Sequence, residues 1–101
     1  MARESGSCKR RKEVIEIIKH DGAWTTARGM FEGKTYHVET KHFELPSEYG
    51  IQNGRISKLF ICEGTSWNQD KCVCAYDRGW DKRPRTKAAK AIYKEIIEMF
   101  N

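Results

Sequence analysis

A chain of 101 residues fits a single domain with one modest core. With 33% charged and 39% hydrophobic residues, the composition is typical of a folded soluble domain and excludes a disordered chain or a membrane-spanning helix, which needs ~20 apolar residues. The net charge of +5 permits an acidic partner, either nucleic acid or an acidic protein surface, and does not by itself select one.

The beginning of the chain divides into a tail and the start of a domain. Residues 1–8 are predicted to form a flexible tail, and residues 9–101 a single domain. The opening residues lack the apolar core of a secretory signal, so we expect a cytoplasmic protein. After a basic cluster at residues 9–12, apolar residues at 14, 17 and 18 fit one face of a short helix, which we expect to end at Gly22. Their β-branched side chains also fit a strand.

Four later segments have the composition of strands, at residues 24–31, 35–43, 55–63 and 71–77. The third of these is apolar on both faces, which predicts a central strand covered on both sides. After Thr86, a candidate N-cap, apolar residues recur at helical spacing. We therefore predict the α+β class: a four-stranded, largely antiparallel sheet, a C-terminal amphipathic helix packed across it, and a short N-terminal helix.

The sequence shows no arrangement of residues that indicates catalysis or metal binding. It has no glycine-rich phosphate loop, nucleophile elbow or zinc-ligand spacing, and its four cysteines, at positions 8, 62, 72 and 74, read as free thiols. His37 and His42 have opposite parities in a strand and so point to opposite faces. We predict no metal, no cofactor and no enzymatic activity.

The strongest candidate binding surface is the segment between the last strand and the last helix. Asp77 and Asp81 there are expected to form salt bridges within the segment and not to hold a metal. Bare N–H groups at a helix start, flanked by cations, suit an anion, although the same charges also fit a merely solvated connection. The basic candidates are Arg78, Lys82, Arg83, Arg85, Lys87 and Lys90.

Two tryptophans complete the candidate binding surface. Trp67, in the loop at residues 64–70, either anchors a partner or folds back on the sheet. Trp80 either joins the interface or fills the edge of the core, and the second role is more common for a large aromatic side chain beside a strand–helix corner.

The run Thr86-Lys87-Ala88-Ala89-Lys90 is similar to the start of the second helix in double-stranded-RNA-binding domains. That family has a lysine where Thr86 stands here, and this chain also lacks the family's Gly-Pro-x-His loop. The resemblance implies that Lys87 and Lys90 contact phosphates.

Three longer blocks, at residues 41–51, 54–59 and 76–81, resemble a family of small uncharacterised proteins from phages, plasmids and other mobile elements of Gram-positive bacteria. The resemblance implies no reaction or cofactor. It does imply a host bacterial cell and, by analogy, an inhibitor of a bacterial defence nuclease of the anti-CRISPR kind.

Three hypotheses follow, in order of preference. The first is a non-enzymatic inhibitor that binds a defence nuclease or its ribonucleoprotein through the basic surface. The alternative is a small nucleic-acid-binding protein that uses the same cations on phosphates, and a hidden nuclease or thiol enzyme is the third. Phosphate binding weakens steeply with salt, whereas binding to a protein through an aromatic anchor survives it.

Overall fold

The computed structural model describes residues 13–101, so the predicted tail at residues 1–8, the basic cluster at residues 9–12 and Cys8 lie outside it. In this part of the chain, six antiparallel strands form one sheet in sequence order, and one helix packs on it. The strands are β1 (Glu13–Asp21), β2 (Trp24–Phe31), β3 (Lys34–His42), β4 (Ile56–Glu63), β5 (Cys72–Asp77) and β6 (Trp80–Lys82), and the helix is α1 (Lys87–Phe100).

The predicted four-stranded sheet was wrong, because the sheet has one more strand at each edge. At the first edge, β1 replaces the expected N-terminal helix. Ile15 and Ile17 alternate with Glu16, pair with β2 and pack against the core. A bulge between Ile17 and Lys19 shifts the alternation, and the apolar spacing then resembles that of a helix.

At the other edge, β6 was missed because its three residues are too few to show a period of two. It is the second strand of a tight hairpin with β5. Arg78 adopts a positive φ of 56° in the turn, and the Asp77 amide donates a hydrogen bond to the Gly79 carbonyl at 2.9 Å. The hairpin pairs Trp80 with Tyr76 on the face that meets the helix.

The C-terminal helix across the sheet agrees with the prediction. Thr86 caps α1, since its hydroxyl accepts a hydrogen bond from the Ala89 amide at 3.0 Å. Ala88, Ala89, Ile92 and Ile96 form the buried face of α1. Gly29 of β2 lets the helix come close, because a Cβ there would stand 3.1 Å from Ile92 Cδ1. The domain is mostly β, with its single core between α1 and one face of the sheet.

The second face of the sheet is not covered by any helix or strand in the described part of the chain. The prediction that the central strand is covered on both sides holds only in part. Phe60 of β4 is half-buried, and its cover is Trp67, whose ring meets it edge-on with centroids 5.8 Å apart. None of the helices in residues 13–101 has the length and apolar character needed to span a bilayer.

Asn101 ties the end of α1 to the connection between β3 and β4. Its side-chain Oδ1 accepts a hydrogen bond from the Ile56 amide, and its Nδ2 donates to the Ile51 carbonyl, both at 3.0 Å. Ile51 begins a 3₁₀ turn (Ile51–Asn53), and Gly54 follows it in close contact with Asn101. One side chain thereby satisfies two backbone groups of almost fully buried residues.

Candidate functional site

The basic segment predicted from the sequence runs from the exposed edge strand β6 to the start of α1. We call the side chains of Lys82, Arg83, Arg85, Lys87 and Lys90 the basic connection, and all five are exposed. None of them forms an ion pair with a carboxylate in residues 13–101. Because no salt bridge compensates these charges, the connection presents a net positive surface.

The first part of the basic connection borders a shallow hollow of about 390 Å³ lined by Trp80, Asp81, Lys82, Arg83 and Arg85. The guanidinium of Arg83 lies over the indole of Trp80, 5.0 Å from the ring centroid, and Lys82 Nζ donates to the Cys72 carbonyl at 2.9 Å. Both contacts hold a cation in place without neutralising it, so the charges remain available to an anion.

Trp80 lies at the edge of the core. Its ring is 5.1 Å from that of Tyr76 and 5.6 Å from that of Tyr93, centroid to centroid. The indole is half-buried and packs against the core cluster. Trp80 therefore packs between the core and Arg83. Arg83, on the solvent side of the indole, is the residue that can contact a partner.

The second part of the basic connection is the first turn of α1. Lys87 and Lys90 are three residues apart on one exposed side of the helix, and that turn holds no acidic residue. Lysines in a first turn oppose the helix dipole, which is tolerable when an anion binds between them. Lys87 also borders a cleft with Phe31, Glu32, Lys34 and Tyr36, at the β2–β3 end of the sheet.

The structure separates Arg78 from the other predicted cations. It lies at the opposite end of β6 from Lys82, in a cleft of about 430 Å³ where β3 ends and β4 begins. We call this the sheet-end cleft; its lining residues are Lys41, Phe43, Ser47, Tyr49, Ser57, Lys58 and Arg78. The six predicted cations thus form two surfaces at the two ends of the sheet.

Trp67 belongs to neither surface. It lies in the β4–β5 loop, 40% exposed, against Phe60 on the uncovered face of the sheet. The loop is held from beneath by Cys62, whose thiol donates to the Ser66 carbonyl at 3.4 Å and accepts from the Asn68 amide at 3.3 Å. Of the two alternatives for Trp67, folding back on the sheet describes its position, and 40% of it stays open to solvent.

The profile of a family described as "Domain of unknown function (DUF7678)" matches residues 23–101. The chain belongs to this family. No curated protein and no solved structure matched the chain.

The DUF7678 match runs from the β1–β2 turn to the end of the described chain, so it includes both basic surfaces and α1 but no part of β1. The family description names no ligand or reaction. The three sequence blocks at residues 41–51, 54–59 and 76–81 all lie within the match, and each contributes residues to the sheet-end cleft.

The acidic, histidine and cysteine side chains of residues 13–101 include no group of three or more that could hold a metal ion. Asp77 forms an ion pair with Lys58 of β4 at 3.6 Å, and not within its own segment as predicted. The prediction that His37 and His42 point to opposite faces is confirmed, since His37 contacts Glu39 on the uncovered face and His42 stacks on Phe100 of α1. Burial, with lesser effects of Arg55 and His20, lowers the pKa of His42 and favours its neutral form.

The described cysteines are free, and two of them are buried. Burial raises the pKa of Cys62 and raises that of Cys74 to about 12, with nearby Cys72 as a lesser cause for each. A raised thiol pKa leaves less thiolate at a given pH, and the thiolate is the nucleophile.

Of the three cysteines in residues 13–101, we therefore expect iodoacetamide at about pH 8 to alkylate half-buried Cys72 first and Cys74 at least about a hundredfold more slowly. Peptide mapping by mass spectrometry distinguishes the sites, and all should react equally in urea. Equal native rates at Cys72 and Cys74 would contradict the buried position of Cys74.

Sequence reasoning missed most of the sheet-end cleft. Lys41 and Phe43 fell within the strand predicted at residues 35–43, Lys58 within that at residues 55–63, and Tyr49 in the connection between them, and none was given a binding role. The available signal was the position of two aromatic side chains beside Pro46 in a segment with no core-facing pattern. Their association with Arg78, about thirty residues later, depends on the pairing of β4 with β5.

Proposed function

We propose that this protein is a non-enzymatic nucleic-acid-binding protein that holds the phosphate backbone with its basic connection. The observation that supports this most directly is the set of five exposed cations that have no carboxylate partner in the described residues. They surround a helix start whose first turn has no acidic residue. Phosphates supply the negative charge that this surface lacks.

The cations are arranged to follow a backbone and not to enclose a small anion. Lys82, Arg83 and Arg85 lie along the chain that leaves β6, and Lys87 and Lys90 continue along one side of α1. The hollow beneath the first three is shallow and lined by Trp80 and Asp81 as well as by cations. A row of exposed positive charges suits successive phosphates, which make binding strong at low salt and independent of sequence.

Inhibition of a bacterial defence nuclease stays a prediction that rests on the resemblance of the sequence blocks. Its contact surface would be the same basic connection, with Trp67 as an exposed aromatic anchor. Phosphate binding requires fewer assumptions, because it needs only the uncompensated charge of the basic connection, whereas a nuclease would also need a surface of complementary shape.

The proposal predicts a steep dependence of affinity on salt. Fluorescence anisotropy with labelled DNA and RNA oligonucleotides of about 20 nucleotides, single-stranded and duplex, should give a linear fall of log K with log salt between about 50 and 300 mM NaCl. If all five cations contact a DNA duplex, the slope is about −4.5.

No binding at about 50 mM NaCl, or a slope near zero, would overturn phosphate binding. In parallel, capture of the tagged protein's partners from a bacterial lysate tests the inhibitor prediction. Retention of one nuclease at high salt after the lysate's nucleic acid has been digested would favour the inhibitor instead.

A further inference from the structure

The sheet-end cleft has a chemistry that the basic connection does not have. We propose that it holds one unpaired nucleotide of a single strand of nucleic acid, with the base against Tyr49 and the phosphate between Lys41 and Arg78, beside the Lys58–Asp77 ion pair. This inference rests on the proposed function and deepens it, because it assigns single strands as the preferred class of nucleic acid.

The cleft is built from three separate parts of the chain. Lys41 ends β3 and leads into the loop of Phe43, Ser47 and Tyr49, β4 supplies Ser57 and Lys58, and the β5–β6 turn supplies Arg78. Its volume of about 430 Å³ lies within the range of small-ligand pockets, roughly 300–1,000 Å³. One nucleotide is therefore of suitable size.

Aromatic rings and cations alternate around the cleft. Arg78 lies over the ring of Tyr49 at 5.8 Å from its centroid, and Lys41 lies over that of Phe43 at 5.4 Å. Tyr49 is 52% exposed and Phe43 46% exposed, so each ring keeps surface for another planar group. This combination of aromatic platforms with neighbouring cations is the chemistry by which proteins hold unpaired bases and their phosphates.

The backbone around the cleft is held in place before any ligand binds. The Tyr76 hydroxyl donates to the Tyr49 carbonyl at 2.8 Å, and the Ser47 amide donates to the Gly54 carbonyl at 3.1 Å. The Arg78 amide donates to the Ser57 carbonyl at 2.9 Å. A loop that is already ordered loses less entropy on binding than a mobile one.

Arg78 occupies a backbone conformation that suits glycine better. Its φ of 56° is uncommon for a residue with a Cβ, and such outliers are concentrated at functional sites. The side chain has no ion pair in the described residues, and its guanidinium is held over Tyr49. The structure therefore places a charged side chain, directed at an aromatic ring of the cleft, where the backbone alone would favour glycine.

The chemistry of the cleft favours a single strand over two other acidic ligands. In a duplex the bases are stacked and paired, so Tyr49 could not reach a base face. An acidic peptide would supply carboxylates for the cations but no planar ring to cover Tyr49 and Phe43. A single strand supplies both groups within one nucleotide.

The test compares Tyr49→Leu with the unchanged protein, using a labelled oligothymidylate of about 20 nucleotides, a duplex of the same length and a labelled oligoglutamate peptide. Leucine keeps an apolar side chain but removes the stacking ring. We expect single-strand affinity to fall about five- to a hundredfold while duplex affinity stays within about twofold. Leu45→Ala is the matched control, since Leu45 lies in the same loop and is more exposed.

Arg78→Gly is a second test variant, because it changes the β5–β6 turn and leaves the loop that carries Tyr49 unaltered. Glycine relieves the positive φ, so the thermal unfolding midpoint should be unchanged or higher, whereas single-strand affinity should fall. A loss of affinity together with a loss of stability would point to a structural role and count against the proposal.

The outcomes separate this inference from the proposed function. Single-stranded and duplex nucleic acid could both bind with steep salt dependence, while Tyr49→Leu changes neither affinity or weakens both equally. In that case the cleft proposal fails and phosphate binding by the basic connection stands. If Tyr49 governs binding of the oligoglutamate as strongly as that of the single strand, the cleft belongs to an acidic protein segment. If neither nucleic acid binds, both proposals fail.

Discussion

Replacing Lys87 and Lys90 together with glutamate is expected to lower affinity for duplex nucleic acid at least about tenfold near 100 mM salt, and to reduce the salt slope by about two. Both lysines are exposed on one side of the first turn of α1 and lack carboxylate partners in the described residues. The substitution removes two phosphate contacts and places two negative charges where the backbone would lie. Anisotropy titrations at several salt concentrations measure both quantities.

A matched control is available on other parts of the domain. Lys19 lies in β1, at the far edge of the sheet from β6, and Lys71 lies in the β4–β5 loop; both are exposed. Reversal of these two charges changes the net charge by the same amount. Equal losses in the two double variants would show that only total charge matters, which would contradict a localised phosphate-binding surface.

The second large effect is on stability. Asn101→Ala is expected to lower the free energy of unfolding by roughly 2–4 kcal/mol, since it leaves the Ile56 amide and the Ile51 carbonyl without their partner. Ile56 is 0% exposed and Ile51 1%, so water cannot easily replace the amide group. Urea denaturation followed by circular dichroism measures the change.

Two further variants separate the contributions of this contact. Asn101→Asp keeps an acceptor for the Ile56 amide but sets a carboxylate oxygen against the Ile51 carbonyl and a negative charge at the end of α1, so its loss should be at least that of alanine. A Cβ on Gly54 would come within 2.3 Å of the Asn101 side chain. Gly54→Ala should therefore destabilise the unchanged protein more than the Asn101→Ala variant, and strictly additive effects would contradict the contact.

The two basic surfaces lie at opposite ends of the sheet and should act independently. Lys87 is near the beginning of β3, and the sheet-end cleft is at its end. The nine residues of β3 rise about 26 Å, at ~3.3 Å per step. Substitutions this far apart with no shared partner usually have additive effects on free energy. A nucleic-acid strand that contacts both surfaces would have to run across the β-sheet or along its edge.

Local signals in the sequence were sufficient for the central strands and the helix. β2 was predicted with its observed bounds, and β3, β4 and β5 agree within one residue at each end. Thr86 was recognised as a cap because a hydroxyl residue preceded a long stretch of apolar residues at helical spacing. The two edge strands were not predicted, because a bulge in β1 gave its apolar residues helical spacing and β6 was too short to show a pattern.

The sequence by itself determined the charge of the basic connection and its position around the start of α1, because these depend on residues close together in the chain. Only the tertiary structure decided which cations act together. Strand pairing placed Arg78 beside Tyr49 and Lys41, and packing against Tyr76 and Tyr93 placed Trp80 at the core edge. Such groupings depend on register between distant segments, which local composition does not encode.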